Sequence, residues 1–348
     1  MSKPFTQNKL DRCISCGYCL PACPTYKLTG NEESSPRGRI TLMRAVQDGK
    51  LPLVDLVPES NFCLGCRACE PVCPAGVEYG VLLEEMRVAT WTGKNRPLIV
   101  RGLFIAVGTK FMVRLLGLFS PLAKNRKSGS EVHLALGCFE RALFPSVSKA
   151  VAAIEPNCSI SANQGCCGAL HAHNGELEKG KAMAVALGDS MPGTILSTAG
   201  GCAAHLSSVL GRERVKEFSE WWAAKESALT PIMKSGKPVR IGFQDSCHLR
   251  NGMGVFKEPR AILAALGEYV EVPDASGCCG AAGTYALLQK KNSRKVISQK
   301  VRDIADLKLD YLASVNPGCT RQLKTELKRA GVKTKVIHLA ELIALSQK

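Results

Sequence analysis

The spacing of apolar positions changes along the chain. From residue 131 onward, short apolar runs at 132–136, 239–243 and 311–315 alternate with helical patterns over 149–154, 177–188, 257–266 and 290–307. Short apolar runs bounded by turn residues read as buried strands, and strands alternating with helices predict α/β units with mainly parallel sheets. Before residue 95 the chain offers short helices and loops, with a helix expected over 82–90 and another running from a turn at Ser35-Pro36 through Val46. The most apolar stretch, LIVRGLFIAVGTKFMVRLLGLFSPLA at 98–123, is interrupted by Arg101, Lys110 and Arg114, which a spanning helix does not normally carry. Two readings of it stand side by side: an interfacial or subunit-docking helix rimmed by cations, and a core helix linking two domains. The polar, basic segment 124–130 reads as a linker.

Cysteine spacing adds chemistry to this pattern. Cys13, Cys16, Cys19 and Cys23, the last followed by Pro24, are repeated in spacing by Cys63, Cys66, Cys69 and Cys73, followed by Pro74. This is the pattern of bacterial two-cluster ferredoxins, in which three close thiolates hold one [4Fe-4S] cluster and the fourth reaches the other. The resemblance implies that Cys13, Cys16, Cys19 and Cys73 hold one cluster, and Cys63, Cys66, Cys69 and Cys23 a second. Zinc knuckles lack the third close cysteine and the Cys-Pro ending, and residues 1–11 hold no apolar stretch of the kind that exports a chain for disulfide formation. Arg37 and Arg39, between the tetrads, are read as donors to cluster sulfur, partner-docking groups or solvated turn cations.

Later the chain repeats itself. Cys138, then Cys166-Cys167-Gly168, then Gly201-Cys202 are followed by Cys247, then Cys278-Cys279-Gly280, then Gly318-Cys319, each series set just after the strand-like runs. Such duplication predicts two copies of one structural unit, with the cysteines at the strand ends where open α/β sheets bind ligands. Each copy supplies four thiols, enough for a cubane, so Cys138, Cys166, Cys167 and Cys202, and Cys247, Cys278, Cys279 and Cys319, are two further candidate ligand sets. Buried structural cysteine, metal in only one copy, and one site shared between copies remain alternatives. Of 17 cysteines only Cys158 falls outside these sets. His171, His173 and His248 near the cysteines are read first as hydrogen-bonded structural residues, with iron ligation or proton relay as alternatives.

The 348 residues, 45% of them hydrophobic, suffice for two or three domains, and so many cysteines without an export signal suit a reducing compartment, by default the cytoplasm. The net charge of +16 is dispersed and aromatic content is 5%, so no stacking platform for nucleic acid is expected; anionic lipid or an acidic partner fits the charge better. No G-x-G-x-x-G follows a strand, and no catalytic triad or carboxylate pair stands out.

With CISCGYCLPACPTY at 13–26, SPRGRI at 35–40, QDSCHL at 244–249, GCCGAAGTYAL at 277–287 and NPGC at 316–319, the chain resembles the iron-sulfur subunits of bacterial glycolate oxidase. It is similar in layout to lactate-utilisation iron-sulfur proteins, anaerobic glycerol-3-phosphate dehydrogenase small subunits and heterodisulfide reductase subunits. The resemblance implies an α+β chain: a mostly helical two-cluster module at 1–95, an apolar helix and basic linker at 96–130, and two cysteine-rich CCG units at 131–235 and 236–348. It implies an electron-transfer subunit of an oxidoreductase with no catalytic residues of its own. A separate FAD-binding dehydrogenase subunit would oxidise the 2-hydroxy acid, and electrons would pass to a quinone or other acceptor, with the chain in the cytoplasm and peripherally at the inner membrane face. Heterodisulfide reductase relatives carry a fifth cysteine per unit where this chain has Ala199 and Asn316.

Overall fold

A computed structural model describes residues 3–92, 95–116, 131–161, 163–225 and 227–347. The expected linker at 124–130 and the end of the apolar stretch, 117–123, lie outside these residues.

The first module is helical, with Gln7–Asp11, Pro24–Thr29, Pro36–Gln47, Val57–Phe62 and Tyr79–Thr90 as its α-helices. The turn read at Ser35-Pro36 is a helix start: the Ser35 hydroxyl accepts a hydrogen bond from the Gly38 amide at 3.0 Å, and Pro36 fits the first turn because its missing N–H has no partner there anyway. Ile40 and Met43 of this helix pack with Leu10, Leu56, Leu82 and Met86, and Cys63 and Cys69 join the same core. The cysteine loops thus rest on a packed apolar floor.

The apolar stretch forms two helices, Leu98–Val107 and Lys110–Leu116, on either side of Gly108. Val100, Phe104, Val107 and Val113 are buried, while Leu98, Ile105 and Phe111 are mostly exposed. Among the described residues no helix is long and apolar enough to cross a membrane.

Two parallel four-stranded sheets follow. The first contains β1 (Val132–Ala135), β2 (Ser159–Ile160), β3 (Thr194–Ser197) and β4 (Val215–Glu217) in the order β2-β1-β3-β4. A small antiparallel hairpin, β5 (Met233–Lys234) and β6 (Lys237–Pro238), leads to the second. There β7 (Arg240–Gln244), β8 (Glu268–Tyr269), β9 (Tyr311–Ser314) and β10 (Lys335–His338) lie in the order β10-β9-β7-β8. In both sheets the first strand of the unit lies at the centre, paired in parallel with its second and third, and the fourth lies outside the third, so the duplication extends to topology. The chain is α+β overall, a mostly helical module followed by two α/β units.

One apolar core joins the two units: Leu134, Leu196, Phe218 and Trp222 of the first cluster with Ile241, Phe243, Ala313 and Ile343 of the second. Burying each such large side chain contributes about 1.5–3 kcal/mol, so the units are held as one body. Polar ties cross the same seam, with the Gly200 amide donating to Val315 O at 2.8 Å and the His338 ring 2.9 Å from Thr198 O.

Candidate functional site

The first cysteine group lines one cavity. Cys13, Cys16 and Cys19 of the first tetrad and Cys73 of the second face it together, with Pro36, Arg37 and Tyr79 in the wall; Cys69, expected at the other cluster, also reaches this lining. Left-handed backbone at Ser15 and Gly17, φ 57° and 90°, bends the loop between these cysteines. Arg37 spans Glu32 at 2.6 Å and Ser15 O at 2.9 Å, bracing the loop from outside. Arg39 takes none of the roles read from sequence. It is fully buried, ion-paired to Glu59 at 2.8 Å, and both guanidinium ends donate to Thr25 Oγ1 at 3.2 Å. Thr25 in turn lies 3.1 Å from Cys23 Sγ.

The second group is more enclosed. Cys23, Cys63, Cys66 and Cys69 are all buried, and each is near enough to others of the group to feel their charge. Gly65 N donates to Cys63 Sγ at 3.4 Å and Tyr79 Oη lies 3.7 Å from the same sulfur. Burial pushes the Cys69 thiol well above its ordinary pKa, with the neighbouring cysteines adding to the shift. Four buried thiols grouped this closely are a donor set suited to iron, which favours the thiolate form.

In the first CCG unit sulfur contacts pair the four candidates. Cys138 and Cys166 Sγ are 3.5 Å apart, Cys167 donates to Cys202 at 3.0 Å, and the adjacent Cys166 and Cys167 share one buried cluster with Cys138. The second unit is similar: Cys247 packs against the buried cluster that holds Cys278, and the adjacent Cys279 donates to Cys319 at 2.9 Å. Both Cys-Cys pairs end in a glycine with positive φ, 85° at Gly168 and 78° at Gly280. A Cβ there would sit 2.1 Å from Gly180 O or 2.6 Å from Ser293 O, which is why the motif ends in glycine. Among the described residues no three donors converge on a single-ion site. A polynuclear cluster makes a different demand, since it accepts one thiolate per corner iron and spreads its ligands. Cys158 is buried in the apolar core.

The modules meet at sulfur. Cys66 of the second tetrad packs with Cys278 of the second CCG unit in one buried cluster with Leu64 and Tyr285, and Asn251 Nδ2 donates to Cys66 O at 2.8 Å beside them. Arg87 ties the same tetrad to the first unit, donating to Cys63 O at 2.8 Å and His173 O at 2.7 Å. Sequence spacing gave no sign of these joints, because their partners lie far apart in the chain.

His171, His173 and His248 are hydrogen-bonded, as read first from sequence; His248 Nδ1 lies 3.7 Å from the adjacent Cys247 Sγ, and of their partners only that of His173 comes from a distant part of the chain. His171 Nδ1 is 2.7 Å from Glu176, and His173 Nδ1 is 2.7 Å from Glu84 of the helical module. The rings of His205 and His248 lie 5.8 and 5.0 Å from that of His173. Burial lowers His205 to about 4 and His248 to about 3, so both are neutral at physiological pH. A buried lysine was also missed: Lys300 Nζ donates to Gly277 O at 3.0 Å and to Asp274 O, beneath the second Cys-Cys pair.

A family model described as a 4Fe-4S dicluster domain matches residues 9–77, and one described as a cysteine-rich domain matches twice, at 132–207 and 241–324. The chain is 31% identical to the probable glycolate oxidase iron-sulfur subunit of Bacillus subtilis (strain 168), over 97% of its own length and 94% of the relative's. It belongs to the glycolate oxidase iron-sulfur subunit family. The glycolate oxidase iron-sulfur subunit of Escherichia coli (strain K12) is also 31% identical, over 96% of this chain and 93% of the relative. A more distant relative, lactate utilization protein A 2 of Bacillus cereus (strain AH820), is 26% identical over 62% of this chain and 98% of its own length. The family models and names bear out the expected iron-sulfur clusters and oxidoreductase class.

Proposed function

We propose that this chain is the electron-transferring subunit of a glycolate oxidase, working with a flavin subunit that oxidises the 2-hydroxy acid. The observation that carries the reading is the packing of Cys66 with Cys278 in one buried cluster, which sets a ferredoxin-type tetrad against a CCG unit and supports a redox path running through both modules. When bound, the clusters supply one-electron carriers. The chain's own residues hold them: Cys13, Cys16, Cys19 and Cys73 round the first cavity, and Cys63, Cys66, Cys69 and Cys23 in the buried second group. Cys138, Cys166, Cys167 and Cys202, and Cys247, Cys278, Cys279 and Cys319, are assigned as further ligand sets. Arg37, Arg39 and Arg87 brace the loops.

Segments 1–95, 96–130, 131–235 and 236–348 are assigned as the helical module, connector and two CCG units. The exposed Leu98, Ile105 and Phe111, flanked by Arg101, Lys110 and Arg114, suit peripheral attachment to an anionic membrane face; the electrons pass on to a quinone or other acceptor. The test is to purify the chain with its flavin partner and add glycolate. Iron-sulfur signals in electron paramagnetic resonance should appear, and dye reduction should fall sharply when this chain is left out. Dye reduction that does not depend on the chain refutes the proposal.

A further inference from the structure

Where the helical module meets the second CCG unit, the two do not close on each other. They leave a cleft of about 340 Å³, within the size range of small-molecule sites, which begins at about 300 Å³. One wall carries Lys27 and Val72, the other Arg250, Lys295 and Val296, and the cleft extends to Cys278. Its lining holds three cations and one carboxylate, Asp274. Arg250 is already ion-paired to Asp245 at 2.8 Å. Lys27 and Lys295 are exposed and have no carboxylate partner among the described residues. Two free cations beside the apolar Leu28, Val72 and Val296, in a lining that also carries Asn251 and Ser276, favour a ligand that is charged at one end and apolar over part of its body.

We propose that this cleft binds a small organic anion with an apolar body, its charge met by Lys27 and Lys295 and its body by Val72 and Val296, next to Cys278. The binding follows from the cleft alone; the ligand's role as a diffusible electron acceptor rests on the electron-transfer function proposed above. In that role the balance is simple. Oxidation of a 2-hydroxy acid to the 2-oxo acid on the flavin partner releases two electrons and two protons. Two one-electron transfers past Cys278, with protons from solvent, reduce a two-electron acceptor.

The test uses the full, iron-loaded chain and equilibrium dialysis with dichlorophenolindophenol, an aromatic dye that is an anion at neutral pH. Replacing both cleft lysines, Lys27→Ala with Lys295→Ala, should weaken dye binding about tenfold, the sum of two modest ion pairs. Val72→Trp should weaken it comparably by filling the cleft, and Lys50→Ala, an exposed cation outside the cleft, should leave it unchanged. Equal binding by wild type, the double variant and Val72→Trp overturns the proposal, as does an equal loss in Lys50→Ala. Glycolate-driven appearance of the iron-sulfur signals in the complex without dye is measured separately. Its failure, with dye binding still lost in the cleft variants, rejects the electron-transfer reading and leaves the binding site standing.

Discussion

Removing Arg39 tests whether the cysteine loops depend on a buried cation. Its side chain has no exposure and lies 2.8 Å from the Glu59 carboxylate, itself only 13% exposed. At that separation, with an effective dielectric constant of about 20, the attraction is about 6 kcal/mol. Much of this offsets the desolvation of the two charges, but removing one partner leaves the other buried and alone, which typically costs about 3–5 kcal/mol. Arg39→Met should therefore lower unfolding stability by about 3–5 kcal/mol. Because Thr25 bonds both Arg39 and the neighbourhood of Cys23, the loss should be accompanied by faster bleaching of cluster absorption. Urea unfolding followed by circular dichroism and visible absorption reads both effects. Arg39→Met combined with Glu59→Gln should recover part of the loss, since no charge is then stranded. A single variant within about 1 kcal/mol of wild type, at an unchanged urea dependence, would show that the pair is not what holds the loops.

Other outcomes follow from the same structure. Cys73→Ser should remove or convert one cluster, seen as a loss of up to about four irons per chain and of one paramagnetic signal, while the second tetrad's signal persists. Gly280→Ala forces a Cβ against Ser293 O and a left-handed φ, and should cost about 1–3 kcal/mol in thermal or chemical unfolding. Burial pushes the Glu217 carboxyl from 4.5 up to about 8, so the folded chain keeps this proton where the unfolded chain has released it. Its contribution to stability is complete below the unfolded value and is lost as pH rises through about 8; Glu217→Gln should flatten that decline in a series of melting temperatures. Replacing Ile105 and Phe111 by Ser should reduce co-sedimentation with anionic vesicles, and unchanged sedimentation would remove those helices from the membrane reading.

Much of the architecture was legible because cysteine spacing and apolar period are local signals. The helices Lys257–Leu266 and Lys290–Leu307 match their expected bounds, and the three expected strands fall within a residue of β1, β7 and β9. Strands β2 and β8 are two residues long, too short to produce a pattern. The single helix expected over the apolar stretch is broken at Gly108. Arg39 looked like a turn cation because Ser35-Pro36 signals both a turn and a helix start; its burial depends on Glu59 and Thr25 arriving from other elements. The same limit hid Glu84 from His173, 89 positions away, and Cys278 from Cys66. Pairings of this kind are decided by tertiary packing, which leaves no periodic trace in one sequence.

The matching strand order of the two sheets gives the molecule a built-in control. Gly168 and Gly280 close the same motif on the same topology, so an alanine placed at either one makes the same local change in different surroundings. Any difference between the two variants in iron retention or potential must come from what differs around them, such as Lys300 beneath one Cys-Cys pair and the tetrad cysteine Cys66 beside it. Duplication thus lets the chain be compared with itself, and the divergence of one copy from the other becomes a measurable quantity.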